Sequence, residues 1–214
     1  YFIESVSEIE ENFDFVIVAT NSEHRFSALK ELYKYKTPKF IILEKFLFNK
    51  LSYFKEAKEL FQLSDTKVWV NQWMSTDLPD LSNIFNETDG INISVKGKNW
   101  NFCSNCVHWI EWFHHINNRK KIVLFNSSLE NLIIENKRKG FFETFGSLEF
   151  HGINNNKLFL QCNYEENGER ETLISVSNKS SRAEFELTFN AMKGFIFRSN
   201  QKKSINFKIK YLSE

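Results

Sequence analysis

Apolar positions in the first third of the chain form two kinds of pattern that follow each other in turn. Short, continuous apolar runs are typical of strands buried in a parallel sheet, and the first run is expected to be covered on both faces. These runs are residues 15–19, 40–43 and 68–70. Between them, apolar residues recur at helical spacing, first at Phe26, Leu29 and Leu32 and then over residues 52–63. Strands alternating with helices predict crossover connections and a parallel sheet.

The pattern changes after residue 71. Residues 91–95 alternate as a strand, and residues 107–116 carry aromatic and aliphatic side chains at helical spacing. From Ile122 onward, short runs of period two are separated by turns rich in Asn, Gly, Ser and Lys, which predicts a mostly antiparallel sheet. These runs are residues 147–150, 157–162, 171–176, 183–189, 194–197 and 205–211.

These patterns predict an α/β chain, α+β overall, with two domains. Residues 1–71 are expected to form a parallel sheet with crossover helices. Residues 72–214 are expected to form an α/β domain with a large, mostly antiparallel sheet.

Composition allows a packed core and narrows the classes of partner. The chain has 214 residues, 42% of them hydrophobic, and a formal net charge of +1. That charge provides no global basic field, so nucleic acid and a membrane surface are not expected as partners. No apolar run approaches the roughly 20 residues that span a bilayer. Three cysteines without a signal peptide predict a cytoplasmic protein rather than a disulfide framework.

Glu44 and Lys45 follow the second predicted strand and interrupt an apolar run. Burying an unpaired charge is costly, so the pair needs an explanation. One interpretation is that it marks the point where the chain leaves the sheet. The other is that it lines a ligand cleft, because ligands of open parallel sheets bind beyond the carboxyl ends of the strands. Thr20, Asn21 and His24 follow the first strand at the same level, and the residues alone leave both interpretations open.

The segment DFVIVATNSEHRFSALKELYKYKTPKFIILEKFLF resembles the Gfo/Idh/MocA family of NAD(P)-dependent sugar oxidoreductases. In that family an aspartate, an apolar strand, Ala-Thr, a histidine that opens a helix, and a strand ending in Glu-Lys-Pro follow in this order. The matching positions are Asp14, Ala19, Thr20, Asn21, His24, Ala28, Glu44 and Lys45. The resemblance extends, more loosely, over nearly the whole chain.

A second segment, GKNWNFCSNCVHWIEWF, resembles the family's stretch leading into the helix that carries its active-site histidine. His108 takes the place of that histidine, and Glu111 takes an acidic position one turn later. The spacing of Trp100, Asn105, Cys106 and His108 is similar to that of members linked to surface polysaccharide and nucleotide-sugar metabolism.

The resemblance implies an oxidoreductase that acts on a hydroxyl or keto group of a sugar or nucleotide sugar. Lys45 would hydrogen-bond the reacting oxygen and move its proton, and His108 would be the second acid–base or substrate-binding group. The implied contacts to NAD or NADP are Thr20, Asn21, His24 and Glu44, with Glu44 either contacting the cofactor or orienting Lys45. Asn105 and Trp100 are implied on the substrate side. Self-association through the C-terminal sheet, giving a homo-oligomer, is implied as well.

Three departures from the family pattern change these expectations. Phe46 replaces the proline after Glu-Lys, which alters the turn beside the nicotinamide. Ser104 replaces the aspartate four residues before the histidine, and a hydroxyl cannot act as a carboxylate base near pH 7. The sequence also contains no G-x-G-x-x-G, the element that binds the pyrophosphate at a helix N-terminus.

The missing glycine-rich element predicts that the first βαβ unit is absent from this sequence. We therefore expect the chain as given to bind NAD or NADP poorly or not at all. The resemblance then implies that residues 1–71 form a partial Rossmann-type parallel sheet, the second half of a dinucleotide-binding domain. It implies that residues 72–214 form the C-terminal substrate-binding and oligomerisation domain. The alternative function is a non-catalytic or truncated homologue that serves in binding or assembly without redox turnover.

Two groups of candidates also have plainer interpretations. Cys103, Cys106 and His108 have ligand-like spacing, and His114, His115 or Cys162 could complete a zinc site. Zinc sites usually present a second ligand pair at defined spacing, and none is evident, so no metal is predicted. Trp100 is equally a candidate for the core or a domain interface, because large aromatic residues dominate such packing.

Overall fold

The computed structural model of this chain describes residues 4–72, 74, 90–136, 139–188, 191–198 and 201–208. The chain divides into two units, Tyr1–Gln72 and Trp73–Glu214. None of the helices in the described part is long and apolar enough to cross a membrane.

The first unit is a three-stranded parallel sheet with two helices. Its elements are β1 (Phe15–Val18), α1 (Ser22–Tyr35), β2 (Phe40–Leu43), α2 (Leu51–Ser64) and β3 (Lys67–Val70). The central strand, β2, pairs in parallel with β1 on one side and β3 on the other. The predicted alternation of strands and helices is confirmed in this unit.

Both helices of the first unit pack on the same face of its sheet. The shared core comprises Val18, Phe26, Leu29, Leu32, Ile41, Leu43, Phe48 and Ala57. The expectation that the first strand is covered on both faces is wrong, because Phe15 and Ile17 on the opposite face are half-exposed or more. The physical reason lies in the strand order: two right-handed crossovers that advance in one direction place their helices on one side.

The second unit contains one helix and eight strands. The helix is α3 (Phe102–Ile116). The strands are β4 (Asn92–Lys98), β5 (Val123–Glu135), β6 (Phe142–His151), β7 (Lys157–Asn163), β8 (Glu171–Ser177), β9 (Ser181–Leu187), β10 (Ala191–Arg198) and β11 (Gln201–Lys208). They form one sheet in the order β11-β10-β9-β8-β4-β7-β6-β5. Within it β4 and β7 are parallel, and the other described pairs are antiparallel, which confirms the predicted fold class.

Several predicted boundaries differ from the structure or extend past its described part. The helix predicted over residues 107–116 begins earlier, at Phe102. The sequence did not predict this first turn, because Ser104 and Asn105 interrupt the apolar pattern there. The predicted strands over 183–189 and 205–211 end outside the described residues, which reach 188 in the first case and 208 in the second.

The core of the second unit lies between α3 and one face of the large sheet, where the helix packs on β6 and β7. Alternate strand residues point inward, as period two requires. The fully buried members of this core include Val95, Trp100, Phe113, Leu158, Leu160, Cys162, Val176 and Ala183. The core therefore joins aromatic residues of the helix region to aliphatic residues of the strands.

A buried amide cluster fixes the end of α3 to the sheet. The Oδ1 atom of Asn117 accepts from the amide of Ile153 and from Nδ2 of Asn156, each at 3.0 Å. The Oδ1 atom of Asn156 in turn accepts from the amide of Ile91 at 2.8 Å. Gly152 is required beside this cluster, because a Cβ there would lie 2.4 Å from Oδ1 of Asn117.

Replacing Leu158 by Ala should destabilise the second unit by about 2–5 kcal/mol, since it removes a fully buried side chain from the middle of the sheet. Leu173→Ala, at a half-exposed position on β8, is the matched control and should cost roughly 0.5 kcal/mol or less. Urea unfolding followed by tryptophan fluorescence measures both, because Trp100, Trp109 and Trp112 belong to this core. Equal losses in the two variants would contradict the assigned packing.

Candidate functional site

The carboxyl ends of β1, β2 and β3 lie side by side at one edge of the first sheet. The amide of Glu44 donates to the carbonyl of Val18 at 3.3 Å, and the amide of Asn71 donates to the carbonyl of Leu43 at 2.8 Å. The side-chain amide of Asn71 also donates to the carboxylate of Glu44. We call this place the strand-end edge. It comprises residues 19–25, 44–47 and 71.

Thr20, Asn21 and His24, three of the predicted cofactor contacts, lie exposed on the strand-end edge. Asn21 directly precedes α1, and its carbonyl accepts the amides of His24 at 3.1 Å and Arg25 at 2.9 Å, the first bonds of the helix. The N-terminus of a helix carries a partial positive charge. The fold thus brings the three side chains to one accessible place, where a ligand could reach them.

Glu44 and Lys45 stand at the end of β2, and both are half-buried. The Nζ atom of Lys45 lies 6.0 Å from the centre of the Phe46 ring, and the peptide bond between these two residues is cis. The pair therefore marks the exit from the sheet and also belongs to the same edge as Thr20, Asn21 and His24. A direct contact of either residue with a cofactor stays a prediction.

Arg25 is a component of the strand-end edge that sequence reasoning missed. It is only 1% exposed, and its guanidinium donates to the backbone carbonyls of Thr20, Phe46 and Leu47, the last at 2.9 Å. Burial lowers the pKa of Arg25, and the nearby charge of Glu44 opposes that shift. The sequence held one signal for this role, the position of Arg25 in the first turn of a predicted helix. The helix dipole disfavours a cation there, so the residue needs a compensating partner.

The second group of predicted site residues lies on α3. Ser104, His108 and Glu111 follow at intervals of one turn and therefore share a face of the helix. His108 is buried, and Glu111 is half-buried. Among the described residues, no hydrogen-bond partner meets the buried Oε2 atom of Glu111.

Glu143 is the second component that sequence reasoning missed. This buried side chain reaches from β6 to the first turn of α3, where its carboxylate accepts from the amide of Cys103 at 2.7 Å and from the hydroxyl of Ser104. The Nδ2 atom of Asn136 donates to the same carboxylate at 3.0 Å. A negative charge at a helix N-terminus stabilises the helix. Glu143, which lies on β6, therefore caps the N-terminus of α3. Ser104, which cannot itself supply a carboxylate, is thus bonded to one.

Trp100 and Asn105, the predicted substrate-side residues, contact each other. The Nδ2 atom of Asn105 donates to the carbonyl of Trp100 at 2.7 Å. The Trp100 ring is fully buried, and its indole N–H donates to the carbonyl of Gln161 at 3.0 Å. This placement agrees with the packing interpretation of Trp100, while a direct contact with a sugar stays a prediction.

None of the three cysteines, all of them in the described part of the chain, takes part in a disulfide. Burial raises the pKa of Cys103, and it raises the pKa of Cys162 to about 11. Thiolates are the metal-binding form, so these shifts oppose metal binding near neutral pH. Within the described ranges, no group of three or more His, Cys, Asp or Glu side chains could hold a metal ion.

The predicted site residues therefore form two groups. Thr20, Asn21, His24, Glu44 and Lys45 are brought together at the strand-end edge of the first unit. Trp100, Asn105 and His108 belong to the start of α3 in the second unit. Joint action of Lys45 and His108 stays a prediction.

The strand-end edge offers groups that a nicotinamide dinucleotide could contact. Its exposed Thr20, Asn21 and His24 offer polar contacts at a helix N-terminus, and Lys45 offers a half-buried cation. These groups fit the nicotinamide side of the cofactor, and the contact itself stays a prediction.

Several solved structures share the fold of this chain, among them oxidoreductases and a transcriptional regulator. MviM, a dehydrogenase from Clostridium difficile, matches with a TM-score of 0.67 at 15% identity over 94% of this chain and 64% of that chain. A mutant of KijD10, a 3-ketoreductase from Actinomadura kijaniata in complex with TDP-benzene and NADP, matches with a TM-score of 0.66 at 10% identity over 92% and 64%. The transcriptional regulator Gal80p from Kluyveromyces lactis matches with a TM-score of 0.64 at 13% identity over 94% and 62%.

At such low sequence identities, these structural matches establish the fold of the chain and nothing about its activity. The chain spans less than two thirds of the length of each of these three proteins. The sequence matches no protein-family model and no curated protein.

Replacing Glu143 by Ala should destabilise the second unit by about 2–3 kcal/mol, because it leaves the donors of Cys103, Ser104 and Asn136 without their acceptor. Glu143→Gln keeps one acceptor oxygen and should cost less. Glu130→Ala, at an exposed glutamate on β5, is the control and should change the free energy of unfolding by roughly 0.5 kcal/mol or less. The role as a cap is wrong if thermal and urea unfolding give the same stability for Glu143→Ala and the control.

Proposed function

We propose that this chain belongs to an NAD(P)-dependent oxidoreductase of the Gfo/Idh/MocA type that acts on a hydroxyl or keto group of a sugar or nucleotide sugar. The observation that carries the proposal is the strand-end edge, where one parallel sheet gathers the Ala-Thr-Asn, histidine and Glu-Lys motifs of that family. The oxidoreductase fold of both units supports it. The same proposal includes a role in surface polysaccharide metabolism and a location in the cytoplasm.

In this proposal Lys45 is the catalytic residue of the first unit. When bound, the nicotinamide supplies or takes up the hydride. The Nζ atom of Lys45 hydrogen-bonds the substrate oxygen and gives or takes its proton. Glu44 orients that lysine or contacts the cofactor, and Thr20, Asn21 and His24 contact the cofactor from the exposed surface of the edge.

The α3 residues form the substrate side of the proposed site. His108 is the second acid–base or substrate-binding group, because a carbinol must lose its hydroxyl proton as it is oxidised. Asn105 contacts the substrate, and Trp100 supports Asn105 through the bond between the Asn105 amide and the Trp100 carbonyl. The hydroxyl of Ser104 is polarised by Glu143, which supplies negative charge in place of the aspartate of the family pattern.

A second candidate function is a binding or assembly protein without redox turnover. One observation favours it: the likeness to Gal80p, a transcriptional regulator. The two functions differ in their need for Lys45. Cofactor binding followed by turnover requires it, whereas binding alone does not.

Titration with NADH and NADPH, followed by fluorescence and calorimetry, tests the proposal together with Lys45→Ala. If the protein binds either nucleotide, Lys45→Ala should lower kcat by about 10²–10⁴-fold and leave the Kd of the cofactor nearly unchanged, since one proton-transfer group is removed. Lys39→Ala, an exposed lysine at the opposite end of β2, should leave both unchanged. Full activity of Lys45→Ala would refute the catalytic role, and failure to bind either nucleotide would favour the second function.

We also propose that the protein is a homo-oligomer joined through its C-terminal sheet. The support is β5, the edge strand of that sheet, which carries a row of exposed apolar side chains. They are Val123, Leu124, Phe125, Leu129, Leu132 and Ile133. A long apolar edge is a template for pairing with another chain.

Ile133→Lys should raise the Kd of self-association by about tenfold or more. The reason is that it puts a charge into the apolar row at a position that is 66% exposed. Leu63→Lys, 88% exposed on α2, is the control and should leave association unchanged. Light scattering over a range of protein concentrations gives the mass of each variant. A monomer at every concentration in the unmodified chain would exclude the oligomer.

A further inference from the structure

The buried cation of Arg25 lies where the dipole of helix α1 disfavours a positive charge. The residue lies in the first turn of α1, and the N-terminus of a helix already carries a partial positive charge. Its side chain is 1% exposed, so water does not solvate the guanidinium. Burying a charge under these conditions is costly unless strong partners meet it, and the identity of those partners indicates what the residue does.

The partners of Arg25 are backbone carbonyls of two different segments of the strand-end edge. Nη2 donates to the carbonyl of Thr20, which follows β1. Nη1 donates to the carbonyls of Phe46 and Leu47, which follow β2. A guanidinium presents its donors as a rigid planar fork, so it can hold both segments at once and in one relative position.

The charge of Arg25 is compensated by the same edge. Glu44 lies close enough for its carboxylate to favour the charged guanidinium, and Asn71 donates to that carboxylate. Arg25 thus bonds the segments that follow β1 and β2, and Asn71, which follows β3, bonds Glu44 at the same edge. Lys45 stands within this network, next to Glu44 and one residue before the carbonyl of Phe46.

We propose that Arg25 is the positioning residue of the strand-end edge: by bonding the carbonyls of Thr20, Phe46 and Leu47, it sets the position of Lys45 relative to the Thr20–Asn21 segment that receives the cofactor. This inference deepens the proposed function and rests on it for the nature of the ligand. Arg25 itself is buried and does not touch a ligand. It acts through the backbone on either side of Lys45.

The segment after β2 has a second anchor that is independent of Arg25. The ring of Phe48 is buried and meets the ring of Phe26 edge-on at 5.8 Å, and Phe26 also stacks on Tyr53 at 4.4 Å. These aromatic contacts belong to the core of the first unit. Loss of the guanidinium should therefore loosen residues 44–47 while the sheet and helices stay folded, which makes the proposal testable with a folded variant.

Arg25→Lys keeps the charge but replaces the fork by a single ammonium, which cannot reach both segments with the same geometry. Amide hydrogen exchange, read by mass spectrometry on the full chain, should become about tenfold faster or more in the peptide covering residues 44–47, because a hydrogen bond to a charged group is lost there. Exchange in β1 and β2 should stay unchanged. Lys30→Ala, an exposed cation on α1, is the control and should leave every peptide unchanged.

The same variants are titrated with NADH and NADPH. Arg25→Lys should weaken nucleotide binding by about tenfold, and Lys30→Ala should not. Unchanged exchange at residues 44–47, or equally faster exchange throughout the first unit, would overturn the positioning role. Selective loosening with unaltered nucleotide affinity would overturn the link to the cofactor.

If the unmodified chain binds neither nucleotide, the proposed function fails, and with it the link from Arg25 to a cofactor. The role of Arg25 in fixing the strand-end edge is then judged by the exchange measurement alone. To guard against simple unfolding, the thermal midpoint of Arg25→Lys, which keeps the charge, is compared with that of Arg25→Met, which removes both the charge and the fork. Loss of the folded signal in both variants would make Arg25 a general stability element and would refute the proposal.

Discussion

The three strands of the first unit run in one direction, and the rest of the candidate chemistry depends on that constraint. Parallel strands send all their carboxyl ends to the same edge, so the residues that follow β1, β2 and β3 meet although they are far apart in the chain. Thr20, Glu44 and Asn71 come together for this reason. The ladder of backbone hydrogen bonds stops at a strand end, so the backbone carbonyls there need other donors. Arg25 supplies them to the carbonyls of Thr20, Phe46 and Leu47.

Each unit meets the cost of a buried charge with partners from other segments of the chain. Arg25 is held by carbonyls at two strand ends, and Glu143 is held by an amide, a hydroxyl and a side-chain amide around the start of α3. Both charges join segments distant in sequence, and both lie directly beside a predicted catalytic segment. Because these bonds join segments that are distant in the chain, each network favours one local arrangement.

How far sequence reasoning reached depends on whether a residue's role is local. The strands of the first unit were predictable because apolar runs and helical spacing are local patterns, and the same holds for the alternating strands of the large sheet. The placement of Thr20, Asn21, His24, Glu44 and Lys45 at one edge followed from topology. The early start of α3 was missed because Ser104 and Asn105 hide its apolar period. The one-sided cover of β1 was missed because a continuous apolar run does not reveal on which side both crossovers lie.

The sequence by itself determined the order of strands and helices, the change from a parallel to a mostly antiparallel sheet, and the Glu-Lys motif at the end of β2. These properties depend on neighbouring residues, whose spacing can be read directly. Only the tertiary structure decided that Arg25 is a buried clamp, that Glu143 bonds Ser104, and that the ring of Trp100 is fully enclosed. Each of those outcomes depends on which distant backbone or side chain lies within hydrogen-bonding or packing distance, and that distance is set by the folded chain rather than by any local pattern.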